Sequence, residues 1–201
     1  MGCAVSKGDD SQGPKLNFKD DSFVTRGLKV VLLGDSGVGK SSICQRYIND
    51  TINDTYDVTL GASYFLKEVT LENGREVRLH IWDTGGEERY RAIASLYYKD
   101  AKAALLVFDV NDAKSFKSLE YWVKELSEKV REQNMVLIIV GNKDDLDSKK
   151  VSEEQVKLYA AQIGLKYIFV SAKTGSNINK LFETLTHELT QKEEENEQSP
   201  Q

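Results

Sequence analysis

The stretch Gly34-Asp35-Ser36-Gly37-Val38-Gly39-Lys40-Ser41 has the residue types and spacing that most directly imply chemistry. Its glycines let backbone N–H groups converge on phosphate oxygens with no Cβ in the way, and a helix start just after them favours negative charge. Lys40 would then reach the β- and γ-phosphates of a nucleotide, and the Ser41 hydroxyl would join a Mg²⁺ shell. An apolar run, Leu28–Leu33, precedes the motif and a helical pattern follows it, which is the strand–loop–helix context such a cradle needs. A Gly-rich turn with no ligand is the bland alternative, and the match at every fixed position argues against it.

A phosphate cradle does not choose a base. Asn142-Lys143-Asp144-Asp145 follows the apolar run Met135–Val140, at the carboxyl end of a strand, where open α/β sheets bind ligands. The Asp145 carboxylate can accept from both N1–H and the exocyclic amine of guanine. Adenine lacks that donor pair and would leave the carboxylate unmatched. Asn142 can bond the purine edge and position its loop, the Lys143 stem can lie on the base, and Ser171-Ala172-Lys173 would close the pocket from below. Alone, such a loop reads as a solvated turn; behind a phosphate cradle it reads as a guanine site.

These residues need a frame. Apolar runs of strand length recur at Leu28–Leu33, Leu105–Asp109, Met135–Val140 and Tyr167–Val170, with helical periods over Ser115–Arg131 and Ser152–Ile163. That alternation predicts a mostly parallel sheet covered on both faces. Ala62–Thr70 and Arg75–Trp82 flank Glu72-Asn73-Gly74, the signature of one antiparallel hairpin. Ser152 with Gln155 predicts a capping box, and Gly164 a helix stop. The fold class is therefore α/β, a P-loop domain with a six-stranded, mostly parallel sheet carrying one antiparallel hairpin strand.

The 201 residues suit one domain, with 40% apolar content for its core. Residues 1–26 are expected to be a disordered extension, 27–190 the folded domain and 191–201 a disordered acidic tail. A net charge of −5 with no basic stripe argues against a nucleic-acid partner. Apolar runs fall far short of the ~18 residues of a transmembrane helix. Two cysteines, Cys3 and Cys44, argue against a disulfide framework and for a reducing setting. Cys44 reads as a packed thiol, and His80 and His187 as non-catalytic.

GDSGVGKSS, TLGASY, WDTGGEERYR, YYKDA, GNKDD and SAKTG occur in that order, and together they resemble the Ras-type small GTPases, more closely the early-endosomal subgroup of the Rab family. The resemblance covers roughly residues 28–190. It implies a GTP/GDP site built from Ser36, Gly37, Val38, Gly39, Lys40, Ser41, Ser42, Thr59, Gly86, Asn142, Lys143, Asp145, Ser171, Ala172 and Lys173. It places Mg²⁺ among Ser41, Thr59 and Asp83, with Asp83 acting through water. Residues 50–60 match the family's first switch, and Gly86 matches the glycine whose N–H senses the γ-phosphate in the second. Loss of that phosphate would release both segments. Tyr64, Trp82 and Tyr97 match an effector-binding aromatic triad. Effectors, exchange factors and GTPase-activating proteins are the implied protein partners of a monomer.

Departures from the pattern carry their own expectations. The usual WDTAGQE is here Trp82-Asp83-Thr84-Gly85-Gly86-Glu87-Glu88. Lys40 and Glu87 are the candidate catalytic residues. An ionised Glu87 accepts a hydrogen bond from water but cannot donate one to the phosphate, which predicts slow hydrolysis. A carboxylate is also the stronger acceptor for water, so the sign stays open at this point. The alternative function is accordingly a GTP-bound interaction protein with little turnover. Gly85 in place of alanine should loosen the second switch. Ile52 replaces an aromatic residue that lies edge-on to guanine, which predicts faster exchange.

The family's C-terminal prenylation cysteines are missing from Glu197-Gln198-Ser199-Pro200-Gln201, while the chain opens Met1-Gly2-Cys3-Ala4-Val5-Ser6-Lys7. This matches a myristoylation signal at Gly2, with Cys3 a candidate for palmitoylation. One myristoyl chain gives only marginal binding, of order 10⁴ M⁻¹, so a second signal is needed. The expected location is the cytoplasmic face of endosomal membranes, with the plasma membrane a further site and the cytosol the unanchored pool.

Overall fold

The computed structural model describes residues 27–52, 58–71, 73–87, 94–129 and 135–198. The proposed N-terminal extension with Gly2 and Cys3, and parts of both switch stretches, lie outside the described residues.

The strands are β1 (Gly27–Leu33), β2 (Ala62–Thr70), β3 (Glu76–Thr84), β4 (Ala103–Asp109), β5 (Val136–Asn142) and β6 (Lys166–Phe169). They form one sheet in the order β2-β3-β1-β4-β5-β6. Among the described residues only the β2–β3 pair is antiparallel, joining Ala62 to Thr84 and Thr70 to Glu76; the other pairs are parallel. The expected mostly parallel sheet with one hairpin strand is what the chain forms.

Successive side chains of the central strands serve opposite faces. Val30, Leu32, Leu105, Val107, Ile138 and Val140 enter one core, with Ile43 and Cys44 from α1 (Lys40–Asn49) above them. Val31, Leu33, Leu106, Phe108 and Ile139 enter the other. There they meet Leu119, Trp122 and Leu126 of α3 (Leu119–Lys129) and Val156 and Ala160 of α4 (Glu153–Ile163). Each fully buried aliphatic side chain contributes roughly 1.5–3 kcal/mol over exposure, so strands apolar on both faces are stable only between helix layers.

Local chemistry sets the helix ends. In α4 the Ser152 hydroxyl accepts from Gln155 N while the Gln155 side chain accepts from Ser152 N, the expected capping box; Gly164 stops the helix at φ 69°. The helix expected over Ser115–Arg131 is two pieces, α2 (Ala113–Lys117) and α3. It begins earlier because Asp112 caps Lys114 N. The two pieces meet at Ser118, whose hydroxyl lies 2.6 Å from Asp35 Oδ2, to which it donates, and 3.1 Å from Lys114 O.

The last helix, α5, runs Ile178–Gln198, through most of the stretch expected to be a disordered tail. Glu, Gln and Lys are good helix formers, and Glu193 is pinned by Arg75 of the hairpin at 2.9 Å. Composition alone favoured disorder, whereas a helix already nucleated by Leu181, Phe182 and Leu185 propagates cheaply. Among the described residues no helix is long and apolar enough to cross a membrane.

Candidate nucleotide site

Four strand ends converge at one rim of the sheet. β1 has its two neighbours, β3 and β4, on opposite sides, and the chain leaves it directly into Gly34–Gly39. That is a topological switch point, where open α/β sheets place ligands. Gly39 precedes α1 at φ 93°, and a Cβ on it would lie 2.2 Å from Asn142 Nδ2. The glycine is therefore needed twice, for its left-handed backbone and for the neighbour it touches. Lys40 is buried, and its ammonium donates to the carbonyls of Gly34 and Asp35, both at 2.8 Å. Burial lowers its pKa to about 8, against the opposing pull of Asp83 and Asp35. An anionic phosphate at this loop would favour the charged form and raise the pKa again.

Asn142 joins the phosphate loop to the base loop. Its Nδ2 donates to Val38 O at 2.8 Å, and its Oδ1 accepts from Ala172 N at 3.1 Å. Lys143 sits at φ 66°, an uncommon conformation for a long side chain. Its ammonium reaches Gly37 O at 2.9 Å and Asp109 Oδ2 at 2.6 Å, which stretches the stem across the pocket floor. Ser171 Oγ donates to Asp145 Oδ1 at 2.6 Å and so orients that carboxylate. Asn142, Lys143, Asp145, Ser171 and Ala172, expected at one site from motifs far apart in the chain, are brought together.

The second cluster is made of oxygens. Ser41 Oγ donates to Asp83 Oδ2 at 2.5 Å and shares a 2.8 Å bond with Thr59 Oγ1. Asp83 is buried, and its other oxygen, Oδ1, has no hydrogen-bond partner. Desolvation raises the Asp83 pKa above its ordinary value, with Ser41, Lys40 and Thr59 pulling the other way. A buried carboxylate oxygen without a partner is costly and is the signature of a site built for something more. No cluster of three or more His, Cys, Asp or Glu residues suited to a metal exists among the described residues. One carboxylate and two hydroxyls instead suit Mg²⁺, which keeps waters and takes its remaining oxygens from phosphates.

Beyond Asp83, Thr84 Oγ1 donates to Leu32 O at 2.6 Å and ties the end of β3 to β1. Gly86 then lies so close to the phosphate loop that a Cβ would sit 2.4 Å from backbone atoms of Asp35 and Ser36. Glu87 is half-buried at the edge of the described segment. Around the corner, Trp82 packs against Tyr64, with centroids 5.4 Å apart, and against Tyr97 at 5.8 Å. Val58, Leu60, Leu66 and Leu96 are also exposed. Ile52 turns inward onto the core beside α1. Cys44 is wholly buried, and desolvation raises its thiol pKa, as befits a packed thiol.

Sequence reasoning missed two residues at this rim. Ser118 fixes the Asp35 carboxylate from the α2–α3 junction. Arg46, in the last turn of α1, donates to Ala172 O and Lys173 O. Neither belongs to a motif, and only the tertiary fold brings them in.

A family model described as "Ras family" matches residues 29–191. The chain is 43% identical over 179 residues to Ras-related protein Rab-5B of Plasmodium falciparum, covering 89% of this chain and 83% of that protein. It is 45% identical over 158 residues to human Ras-related protein Rab-22A, covering 78% and 80%. It is 41% identical over 162 residues to Ras-related protein Rab5 of Nicotiana tabacum, covering 80% of each.

Proposed function

The chain belongs to the Ras family and is a Rab-type small GTPase, and from that premise we propose that it is a guanine-nucleotide switch that regulates endosomal vesicle traffic by recruiting effectors to a membrane. The observation that carries this reading is the meeting of Thr59 and Asp83 at Ser41. These three residues come from the first switch stretch, the strand leading into the second, and the phosphate loop. Whatever orders one orders the others.

In the proposed mechanism Lys40 and the backbone of Ser36–Ser42 hold the phosphates, and Asn142, Lys143, Asp145, Ser171, Ala172 and Lys173 hold the base. Ser41, Thr59 and Asp83 would hold Mg²⁺, which when bound would offset negative charge developing in transfer. Lys40 stabilises that same charge from the buried end of the loop. Gly86 N–H would sense the terminal phosphate in this reading, since the Gly86 backbone lies against Asp35 and Ser36 with no room for a side chain between them. When the terminal phosphate leaves, the Thr59 and Gly86 segments lose their common partner, and the surface around Tyr64, Trp82 and Tyr97 changes shape.

Glu87 sets the pace in this reading. Its carboxylate orients water only as an acceptor and adds negative charge beside an anionic phosphate. Glu87→Gln restores a donor, and single-turnover hydrolysis of preloaded GTP should rise roughly tenfold, about 1.4 kcal/mol of barrier. Turnover that needs Mg²⁺ and rises in the variant supports the mechanism. A complete lack of turnover in both proteins, even with an activating protein, would overturn it in favour of a GTP-bound interaction protein.

Membrane recruitment is assigned to Gly2, with Cys3 as the second signal because a single myristoyl chain holds weakly. Fractionation of cells expressing Gly2→Ala should find the protein in the soluble fraction. Retention on membranes at the wild-type level would remove this assignment.

A further inference from the structure

Arg46 makes more directed contacts at the site's rim than any family motif predicts. Its Nε donates to Ala172 O at 2.9 Å, its Nη2 to Lys173 O at 2.8 Å and its Nη1 to Asp50 O at 2.7 Å. Two of these carbonyls are consecutive in the base loop. The third belongs to the residue that ends α1 in the left-handed conformation, φ 54°, with its N–H returned to Arg46 O. The first switch stretch begins there. The guanidinium thus spans the root of that stretch and the back of the base loop. Its side chain is only 18% exposed, and the bond to Ala172 O is the most sheltered of the three from water.

We propose that Arg46 is a positioning residue that holds the base loop closed on guanine and so sets how slowly the nucleotide leaves. This rests on the reading of Asn142–Asp145 and Ser171–Lys173 as the base pocket. The route is short. Arg46 fixes the carbonyls of Ala172 and Lys173; Ala172 N fixes Asn142 Oδ1, and Ser171, one residue earlier, fixes the Asp145 carboxylate. A base loop free to rock would loosen both base-reading side chains at once. The Arg46–Asp50 ion pair contributes little, because its 3.7 Å partner carboxylate is 98% exposed. The carbonyl bonds matter, and they need a planar fork with several donors, which lysine cannot supply.

The test is GDP dissociation, followed with a fluorescent GDP analogue on the Mg²⁺-loaded protein. Loss of two charge-assisted bonds in Arg46→Ala should speed release on the order of tenfold. Arg46→Lys keeps the charge and most of the stem, so it guards against simple misfolding; it should release GDP nearly as fast as the alanine variant. Both should prefer GDP over IDP less than the wild type does, because Asp145 reads the 2-amino group that inosine lacks. Asp50→Asn, which retains the carbonyl, should behave as wild type. Wild-type release from Arg46→Ala, full rescue by lysine or an unchanged GDP-to-IDP preference would each overturn the inference. Asp145→Asn, assayed in parallel, separates the two levels. If it leaves the guanine preference intact, the base-pocket reading itself fails; if it abolishes that preference while Arg46→Ala behaves as wild type, only the role of Arg46 fails.

Discussion

Asp145→Asn should lower affinity for GTP on the order of 10⁴-fold and transfer preference to xanthosine triphosphate. An ionised carboxylate accepts from both N1–H and the 2-amine of guanine, and Ser171 Oγ holds Asp145 Oδ1 at 2.6 Å, so the group enters binding already oriented. An amide at this position points a donor at the guanine amine, and the buried mismatch costs more than the lost bonds alone. Xanthine carries a carbonyl at that ring position and accepts what the new amide donates. Equilibrium displacement of fluorescent GDP by each triphosphate measures both changes. Unaltered GTP affinity would mean that Asp145 does not touch the base.

The second large effect is expected at Gly86. A methyl group there would lie 2.4 Å from the Asp35 carbonyl and the Ser36 nitrogen, closer than van der Waals contact allows. These are backbone atoms of the phosphate loop, which cannot swing aside as a flexible side chain would. In Gly86→Ala the segment after β3 must lift away, and the neighbouring Glu87 moves with it. Displacement by about 1 Å of a group that orients the attacking water costs on the order of 10²-fold in rate. Single-turnover hydrolysis should therefore fall by that factor. The fluorescence difference of Trp82 between GDP- and GTP-loaded protein should fall with it, since Trp82 lies near the end of β3, the strand that leads into this segment. Hydrolysis at the wild-type rate would show that the second switch works without this close approach.

The sheet was legible because its strands are buried on both faces and read as unbroken apolar runs, as in Ala103–Phe108 and Val136–Val140. The cradle and base loop were legible because phosphate and guanine impose fixed residue types at fixed spacing. The hairpin betrayed itself through Asn73-Gly74, and α4 through Ser152 and Gln155. What escaped was whatever depends on a partner far along the chain. The hydrogen bond from Ser118, at the α2–α3 junction, to Asp35 is one that no local pattern encodes. The continuation of α5 follows from a packed helix extending into residues that, in isolation, read as a solvated tail. Arg46 looked like an ordinary basic residue near a helix end, and its partners lie in a loop more than a hundred residues later. Asn142 was half legible: its motif suggested base recognition, while its bond to Val38 O shows that it also braces the phosphate loop.

The proposed switch requires one site that would be specific for guanine and would bind phosphate through Lys40, Ser41 and their neighbours. The most direct measurement is the identity of the nucleotide released when the freshly purified full-length protein is denatured and its supernatant resolved by chromatography. Near-stoichiometric GDP, alone or with GTP, is the result this structure predicts. Bound adenine nucleotide, or guanine nucleotide displaced equally well by ATP, would contradict it.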